Sequence, residues 1–150
     1  MRTTSGMVST SRGSCPAKLP PPDQLEPNDN TGTWARRLGR PRTIAATLDY
    51  WDDPVDVYAV TLAEGQRLYA RLSSSAPTLA RVVLWRPGTK DVTGLTLPLE
   101  DQAARSKAAA GAQQRLALAV PAGGVYYLEV KLVHATRNPV SYTLAVATRR

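Results

Sequence analysis

From residue 43 to the C-terminus, short runs of alternating apolar and polar residues are separated by turn-forming residues. In residues 67–72, for example, Leu68, Ala70 and Leu72 share one face and the residues between them share the other. A period of two residues is typical of a strand with one buried and one exposed face. The pattern predicts strands at residues 43–48, 55–62, 67–72, 80–85, 115–120, 125–133 and 140–147.

Strands of this length, separated by Gly- and Pro-containing turns, predict an all-β fold. Seven to eight such strands favour an antiparallel β-sandwich of jelly-roll type, and this is the fold class that we expect. In residues 125–133 the alternation directs Tyr127, Glu129 and Lys131 outward. Phe is absent, so aliphatic residues, Tyr and Trp must fill the core. We expect three side chains in the core or at the edge of the sandwich, the alternative being a platform for a sugar: Trp34, Trp51 and Trp85.

Two segments depart from the alternating pattern. Residues 33–38 are predicted to form one or two helical turns. Residues 101–112 are rich in Ala, Lys, Arg and Gln, but no apolar residue recurs there at helical spacing. We therefore expect a loop with some helical tendency at 101–112.

Residues 1–24 are rich in Ser and Pro and contain no apolar core of a signal peptide. They predict a disordered linker in front of one sandwich domain at residues 25–148. The single cysteine, Cys15, lies in this linker, so no internal disulfide can form, and its role is left open. No run approaches the roughly 18 apolar residues of a membrane-spanning helix, so none is expected.

The chain is strongly basic, with a formal net charge of +7 and a pI of about 10.0, and 15 of its 19 basic residues are Arg. Such a balance permits binding to anionic surfaces. It is also what a genome of high GC content produces by using Arg in place of Lys. Charge alone does not decide between these two interpretations.

The acidic residues are concentrated in two short stretches. Five of the eight Asp and one of the four Glu fall within residues 26–29 and 49–58. Carboxylates gathered in this way repel one another unless a cation neutralises them. Calcium takes six to eight oxygen ligands of this kind. The alternative is that Asn28 and Asp29 cap the turn at 33–38 and that the remaining carboxylates pair with nearby Arg residues.

The same stretches carry a family resemblance. The segments Glu-Pro-Asn-Asp at 26–29, Asp-Asp-Pro-Val-Asp-Val-Tyr at 52–58, Val-Pro-Ala-Gly-Gly-Val-Tyr-Tyr at 120–127 and Ser-Tyr-Thr-Leu at 141–144 together resemble the bacterial pre-peptidase C-terminal domain. That domain is a small β-sandwich appended to secreted peptidases, including subtilisin-like ones. It is similar in outline to the collagen-binding domains of clostridial collagenases. The resemblance covers residues 25–146, with no match in the loops between residues 86 and 114.

The resemblance implies a calcium site. It assigns side-chain ligands to both acidic stretches and adds a backbone carbonyl near Val57. The family pattern at the second stretch is more often Gly-Asp-x-Asp-x-Tyr, so Asp52 is an alternative to Asp53. The implied ligands are Glu26, Asn28, Asp29, Asp53 and Asp56.

The resemblance also implies where the domain works. It would be secreted as part of a longer precursor, downstream of a peptidase domain, and would assist substrate attachment, stability or maturation. A protein or polysaccharide substrate is the implied partner. The alternative is a free-standing basic module that binds an anionic polymer, either a polysaccharide or a nucleic acid.

The sequence offers no catalytic constellation. It has one histidine, His134, and no Gly-x-Ser-x-Gly elbow, whereas a serine nucleophile needs a positioned base and a third group that orients the base. No Cys/His cluster fits zinc, and no Gly-rich loop followed by a helix fits a phosphate site. We therefore expect a non-catalytic protein.

A softer hypothesis is a binding face made of outward-pointing aromatic and basic residues. Tyr and Arg are over-represented at binding hot spots, although both are also ordinary on a solvated strand face. Nucleic acid is disfavoured as a partner because the Arg residues are spread along the whole chain. The residues proposed for this face are Arg67, Tyr69, Arg71, Tyr127 and Lys131.

Overall fold

The computed structural model describes residues 25–76, 78–109 and 113–150. In this part of the chain, ten strands and two single-turn 3-10 helices, Gly32–Trp34 and Leu99–Asp101, are present. The predicted linker at residues 1–24 and Cys15 lie outside the described residues. The strands are β1 (Arg36–Leu38), β2 (Thr43–Leu48), β3 (Val55–Leu62), β4 (Arg67–Ser74), β5 (Ala80–Trp85), β6 (Gln102–Arg105), β7 (Lys107–Ala109), β8 (Gln113–Ala119), β9 (Gly124–Leu132) and β10 (Val140–Arg149).

The strands form two five-stranded sheets that pack face to face. Sheet A has the order β1-β3-β9-β5-β6 and sheet B the order β2-β10-β4-β8-β7. All neighbours are antiparallel except β1 and β3, which are parallel. Successive strands from β2 to β5 alternate between the sheets, as do β8, β9 and β10, which is the jelly-roll arrangement. The predicted fold class is confirmed.

The main core lies between the sheets and is built from the inward positions of the alternating runs. Leu68, Ala70 and Leu72 of β4 are buried, and β9 contributes Tyr126 and Leu128. Each buried Leu contributes about 1.5–3 kcal/mol relative to an exposed one. The period-two pattern therefore placed the inner faces correctly.

The outer face of sheet A is covered, and here the prediction for β9 was wrong. Glu129 was expected to point into solvent, yet it is only 1% exposed. A second apolar cluster of Val57, Val83, Trp85 and Val92 lies on this face. Val92 belongs to the long connection after β5, which covers a face that alternation alone would assign to water. Of the three tryptophans, Trp85 is in this cluster, whereas Trp34 and Trp51 are 56% and 71% exposed.

The two irregular segments differ from expectation. Residues 33–38 begin within the single 3-10 turn, but residues 36–38 form β1, because they pair with the free edge of β3. Residues 101–112 were expected to be a loop with helical tendency, yet they contain β6 and β7. Three short strands thus raise the total above the seven to eight predicted.

Hydrogen bonds of Ser106 explain why residues 102–109 form strands in different sheets. β6 pairs with β5 in sheet A, and β7 pairs with β8 in sheet B. Between them, Ser106 donates its backbone N–H to the Val82 carbonyl and accepts the Val82 N–H on its hydroxyl oxygen, at 2.8 and 3.0 Å. The Ser106 hydroxyl also donates to Gln114 at 3.1 Å. These bonds hold the chain where it crosses from one sheet to the other. In the described ranges, no helix has the length and apolarity needed to cross a membrane.

Candidate metal centre

The N-terminal segment runs beside the start of β3 and is held there by its backbone. The Val57 N–H donates to the Asn28 carbonyl at 2.6 Å. The Asn28 N–H in turn donates to Glu26 Oε2 at 3.0 Å. The first acidic stretch is therefore fixed against the second, although 19 residues of sequence, 30–48, lie between them.

A tight turn positions the second acidic stretch. Asp49 and Asp53 exchange two backbone hydrogen bonds of 2.8 Å each. Inside the turn, Asp49 Oδ1 accepts the N–H groups of Trp51 and Asp52 at 2.9 and 3.2 Å. Pro54 follows and keeps Asp53 extended. The turn leaves Asp52 exposed and Asp53 half-buried.

Three carboxylates converge at this point. Ligand oxygens of Glu26, Asp53 and Asp56 all lie within 4.8 Å of one another, and Asp56 is fully buried. Of the two adjacent aspartates on the turn, Asp53 belongs to this group and Asp52 does not. Such a group of oxygens has the chemistry of a hard-cation site.

The electrostatics of the cluster are unfavourable without a cation. Burial raises the pKa of Asp53 to about 9, and a hydrogen bond with Glu26 and the negative charge of Asp56 act in the same direction. The pKa of Asp29 is also raised, first by partial burial and then by the negative charge of Glu26. Among the described residues, the one ion pair is Lys131–Glu129, at 3.8 Å. No Arg or Lys in these ranges therefore neutralises the cluster.

Asn28 supplies a second, independent feature of the site. Its side chain is fully buried, and neither Oδ1 nor Nδ2 has a hydrogen-bond partner among the described residues. Two carboxylate oxygens, Oε1 of Glu26 and Oδ1 of Asp53, are also buried without a hydrogen-bond partner among the described residues. A buried polar atom without a partner costs about 1–3 kcal/mol, and native structures hold few of them. The oxygens of Glu26, Asn28 and Asp53 therefore have the chemistry of hard-cation ligands.

A pair of core tyrosines supports Asp56 from within the sandwich. The Tyr142 hydroxyl of β10 donates a short hydrogen bond to Asp56 Oδ2, and it lies 2.5 Å from the Tyr58 hydroxyl. Burial raises the pKa of Tyr142, and the charge of Asp56 raises it further, so the hydroxyl remains a donor. Sequence reasoning missed this role, because both tyrosines alternate as ordinary core residues.

Two alternatives to a metal site are a cap on the turn at 33–38 and pairing of the carboxylates with Arg residues. The 3-10 helix Gly32–Trp34 has Thr31 as its N-cap residue and no side-chain capping bond. Asn30, and not Asn28 or Asp29, bonds the local backbone, since its Oδ1 accepts the N–H groups of Thr31 and Val92 at 2.8 and 3.0 Å. Among the described residues, Asn28 and Asp29 therefore do not cap this turn, and no ion pair joins an Arg of these ranges to the second acidic stretch.

The predicted ligand set is brought together in part. Glu26, Asp53 and Asp56 form the cluster, and Asn28 lies in the segment hydrogen-bonded to it. Asp29 is exposed beside Glu26, and Asp52 is exposed on the turn. The Val57 N–H contacts Asn28, whereas a role for the Val57 carbonyl stays a prediction.

The predicted aromatic and basic binding face is not one surface. Arg67, Tyr69 and Arg71 lie on the outer face of sheet B, and Tyr127 and Lys131 lie on that of sheet A. The two groups therefore occupy opposite sides of the sandwich. Alternation assigns a residue to a face of its own strand, but it does not tell which sheet the strand joins.

Comparison with solved structures places this architecture among known folds. The chain is similar to the pre-peptidase C-terminal domain of a collagenase from Bacillus anthracis, with 20% identity over 87% of this chain and 100% of that one, at a TM-score of 0.57. It is also similar to PliG of Aeromonas hydrophila, a periplasmic inhibitor of g-type lysozyme, with 19% identity over 75% of this chain and 94% of that one, at a TM-score of 0.52. At these identities the likeness shows a common fold.

No protein-family model and no curated protein sequence matches the chain. The fold expected from the resemblance to pre-peptidase C-terminal domains is thus observed.

Proposed function

We propose that this chain is a non-catalytic, calcium-binding accessory domain of the pre-peptidase C-terminal type, which works outside the cytoplasm as part of a secreted peptidase. The observation that carries the proposal is the convergence of Glu26, Asp53 and Asp56 beside a buried Asn28 whose amide has no partner among the described residues. The fold shared with a collagenase accessory domain supports the same conclusion.

Calcium fits this donor set better than other metals do. The group offers carboxylate and amide oxygens and contains no Cys or His, which disfavours zinc and copper. Magnesium demands a near-ideal octahedron and keeps several waters, whereas calcium accepts an irregular set of protein oxygens. Two of the donors come from the N-terminal segment and two from the turn and start of β3. An ion here would therefore fasten the segment that leads into the domain onto the sandwich.

Such fastening gives an accessory role a physical basis. If a peptidase domain precedes residue 25, the ion fixes the point at which the two parts join. Calcium outside the cell would then stiffen this joint and stabilise the fold. Attachment of a protein or polysaccharide substrate, stability and control of maturation are each compatible with this arrangement.

The test is a thermal melt in chelator and in millimolar calcium. A ligand that binds the folded state alone stabilises by about 2.7 kcal/mol at a hundredfold excess over its Kd. In a domain of this size that corresponds to a rise in Tm of about 6–10 °C. Magnesium at the same concentration should give a smaller rise.

A matched pair of variants locates the site. Asp53→Asn should abolish most of the calcium-induced rise, because it removes a charged ligand from the cluster. Asp52→Asn, one residue earlier and exposed, should keep it. Identical melts of the unaltered chain in chelator and calcium would refute the calcium site. If Asp52→Asn alone loses the calcium-induced rise in Tm, the ligand is Asp52 and not Asp53.

A further inference from the structure

Sheet B carries a charge asymmetry that the calcium site does not explain. None of its five strands contains Asp or Glu. Its basic residues all point outward and are exposed. A sixth exposed cation, Arg42, precedes β2, where its carbonyl accepts the Val146 N–H at 3.0 Å. We call the outer side of this sheet the basic face, and its cations are Arg42, Arg67, Arg71, Lys107, Arg115 and Arg149.

The strand register places several of these cations directly opposite one another. Arg71 pairs with Arg115, and Arg115 pairs with Lys107 on the next strand. Arg67 pairs with Arg149 on the other side of β4. Like charges in directly opposite positions destabilise a sheet. Among the described residues, no carboxylate forms an ion pair with any of them.

The paired cations form two rows across the strands, one of Arg71, Arg115 and Lys107 and one of Arg67 and Arg149. Neighbouring strands are about 4.8 Å apart, so the row Arg71–Arg115–Lys107 spans roughly 10 Å. Arg67 lies four residues before Arg71 on the same strand, so the second row is displaced by roughly 13 Å. An extended polymer that bears a negative charge on each repeat unit would reach both rows at once.

The space between the rows is lined with small side chains. Tyr69 lies midway, opposite Ala147 on one side and Ala117 on the other. Five of the six cations and Tyr69 line a groove of about 770 Å³. The alanines leave room for a bulky unit to lie flat on the sheet, with the long Arg side chains around it.

We propose that the basic face is a binding site for a linear anionic polysaccharide that carries carboxylate or sulfate groups. Arg is suited to this role because its planar guanidinium donates two parallel hydrogen bonds to such groups. The repulsion within each row, which is unfavourable in the free domain, is offset by attraction to the anionic groups of the bound polymer. The site is on the side of the sandwich that faces away from sheet A and does not depend on the calcium site.

Charge alone would also suit nucleic acid, but the aromatic content argues against it. Single strands are held by successive bases that stack on successive aromatic rings. The basic face has one ring, Tyr69, and the Arg149 guanidinium already lies over it, 5.6 Å from the centroid. A polymer that is read through its charges and lies over alanines fits this surface better.

The experiment measures binding of the 150-residue chain to four probes by isothermal titration: heparin as a sulfated glycan, polygalacturonate as a carboxylated glycan, uncharged dextran, and single-stranded DNA. The test variant is Arg71→Thr/Arg115→Thr, in which Thr preserves β-propensity. The control is Arg81→Thr/Arg137→Thr, which removes two exposed cations elsewhere. Thermal melts show whether each variant is folded.

We expect at least one charged glycan to bind and dextran not to bind. The test variant should weaken that binding about tenfold or more, since it removes two charge-assisted contacts. The control should change it less than about threefold, the part due to net charge. Equal losses in both variants, tighter binding of DNA than of either charged glycan, or no glycan binding by the unaltered chain would overturn the proposal. If the test variant fails to fold, Arg71→Lys/Arg115→Lys replaces it, and an unchanged affinity there would count against recognition by the Arg fork.

Discussion

Replacing Tyr142 with Phe should weaken both the fold and the proposed calcium site. The Tyr142 hydroxyl is buried in the core, where it donates to Asp56 and lies 2.5 Å from the Tyr58 hydroxyl. The substitution leaves the ring in place, so no cavity larger than one oxygen atom forms. What is lost is a buried hydrogen bond to a carboxylate, which is worth about 1.5–3 kcal/mol.

The expected loss of unfolding free energy is therefore about 2 kcal/mol in chelator, or a fall in Tm of roughly 4–8 °C. The calcium-induced rise in Tm should also shrink. Groups that hydrogen-bond a metal ligand hold it in its binding orientation, and their removal typically costs 10–100-fold in metal affinity. Asp56 would keep its charge but lose the donor that fixes its carboxylate.

Tyr126→Phe is the matched control. Tyr126 is as buried as Tyr142, but its hydroxyl donates to the Ala122 carbonyl at 2.8 Å, a neutral acceptor. Its loss should cost about 1 kcal/mol and leave the calcium response unchanged. The measurement is urea denaturation of all three proteins, each in chelator and in calcium. If the two variants behave alike in both buffers, Tyr142 does not support the site and the reasoning is refuted.

Two further predictions concern buried carboxyl groups. At Glu129, burial raises the pKa of the carboxyl group, and the Trp85 indole N–H donates to Oε1 at 3.0 Å. Glu129→Gln keeps an acceptor for this N–H and should change the free energy of unfolding by less than about 1 kcal/mol. Glu129→Ala leaves the N–H without an acceptor and should cost about 3 kcal/mol, measured by urea denaturation. Equal costs would show that the Trp85 bond contributes nothing. At Asp53, the folded pKa of about 9 exceeds the unfolded value of about 4, so the metal-free fold holds a proton that the unfolded chain releases, and its stability in chelator should fall as pH rises between those values. Calcium must displace that proton, so the calcium-induced rise in Tm should grow from about pH 5 to about pH 8, and a rise independent of pH would contradict this assignment.

The fold could be predicted from the sequence because its inner faces obey a strict alternation. The bounds expected for residues 43–48, 55–62 and 80–85 coincide with β2, β3 and β5. The alternation misled where both faces of a strand are buried. Glu129 and Trp85 lie on the outer face of sheet A, and what covers them is a loop without periodicity. The strands β6 and β7 were missed for a related reason, since the residue between them, Ser106, is held by Val82, which lies 24 positions earlier in the chain.

The types of residue in the candidate site could be predicted from the sequence, but their arrangement in space could not. Clustered carboxylates indicated a cation, and the resemblance to pre-peptidase C-terminal domains supplied the ligand types. The choice between Asp52 and Asp53 depends on the turn closed by Asp49, in which one aspartate faces solvent and the next faces Glu26. The support from Tyr142 depends on two strands in different sheets, 86 residues apart in sequence, and no local pattern contains it.

The cost of the acidic cluster is itself an argument for its function. Buried charges contribute little net stability, and well-packed apolar residues of similar size would serve a purely structural purpose at least as well. The cluster joins three parts of the chain: the N-terminal segment through Glu26, sheet A through Asp56, and sheet B through the Tyr142 hydroxyl. Without an ion these carboxylates repel one another, and a bound cation would offset that repulsion by attracting each of them. If calcium binds as proposed, the stability of the junction depends on it, and such dependence would suit a domain that must become rigid where calcium is plentiful.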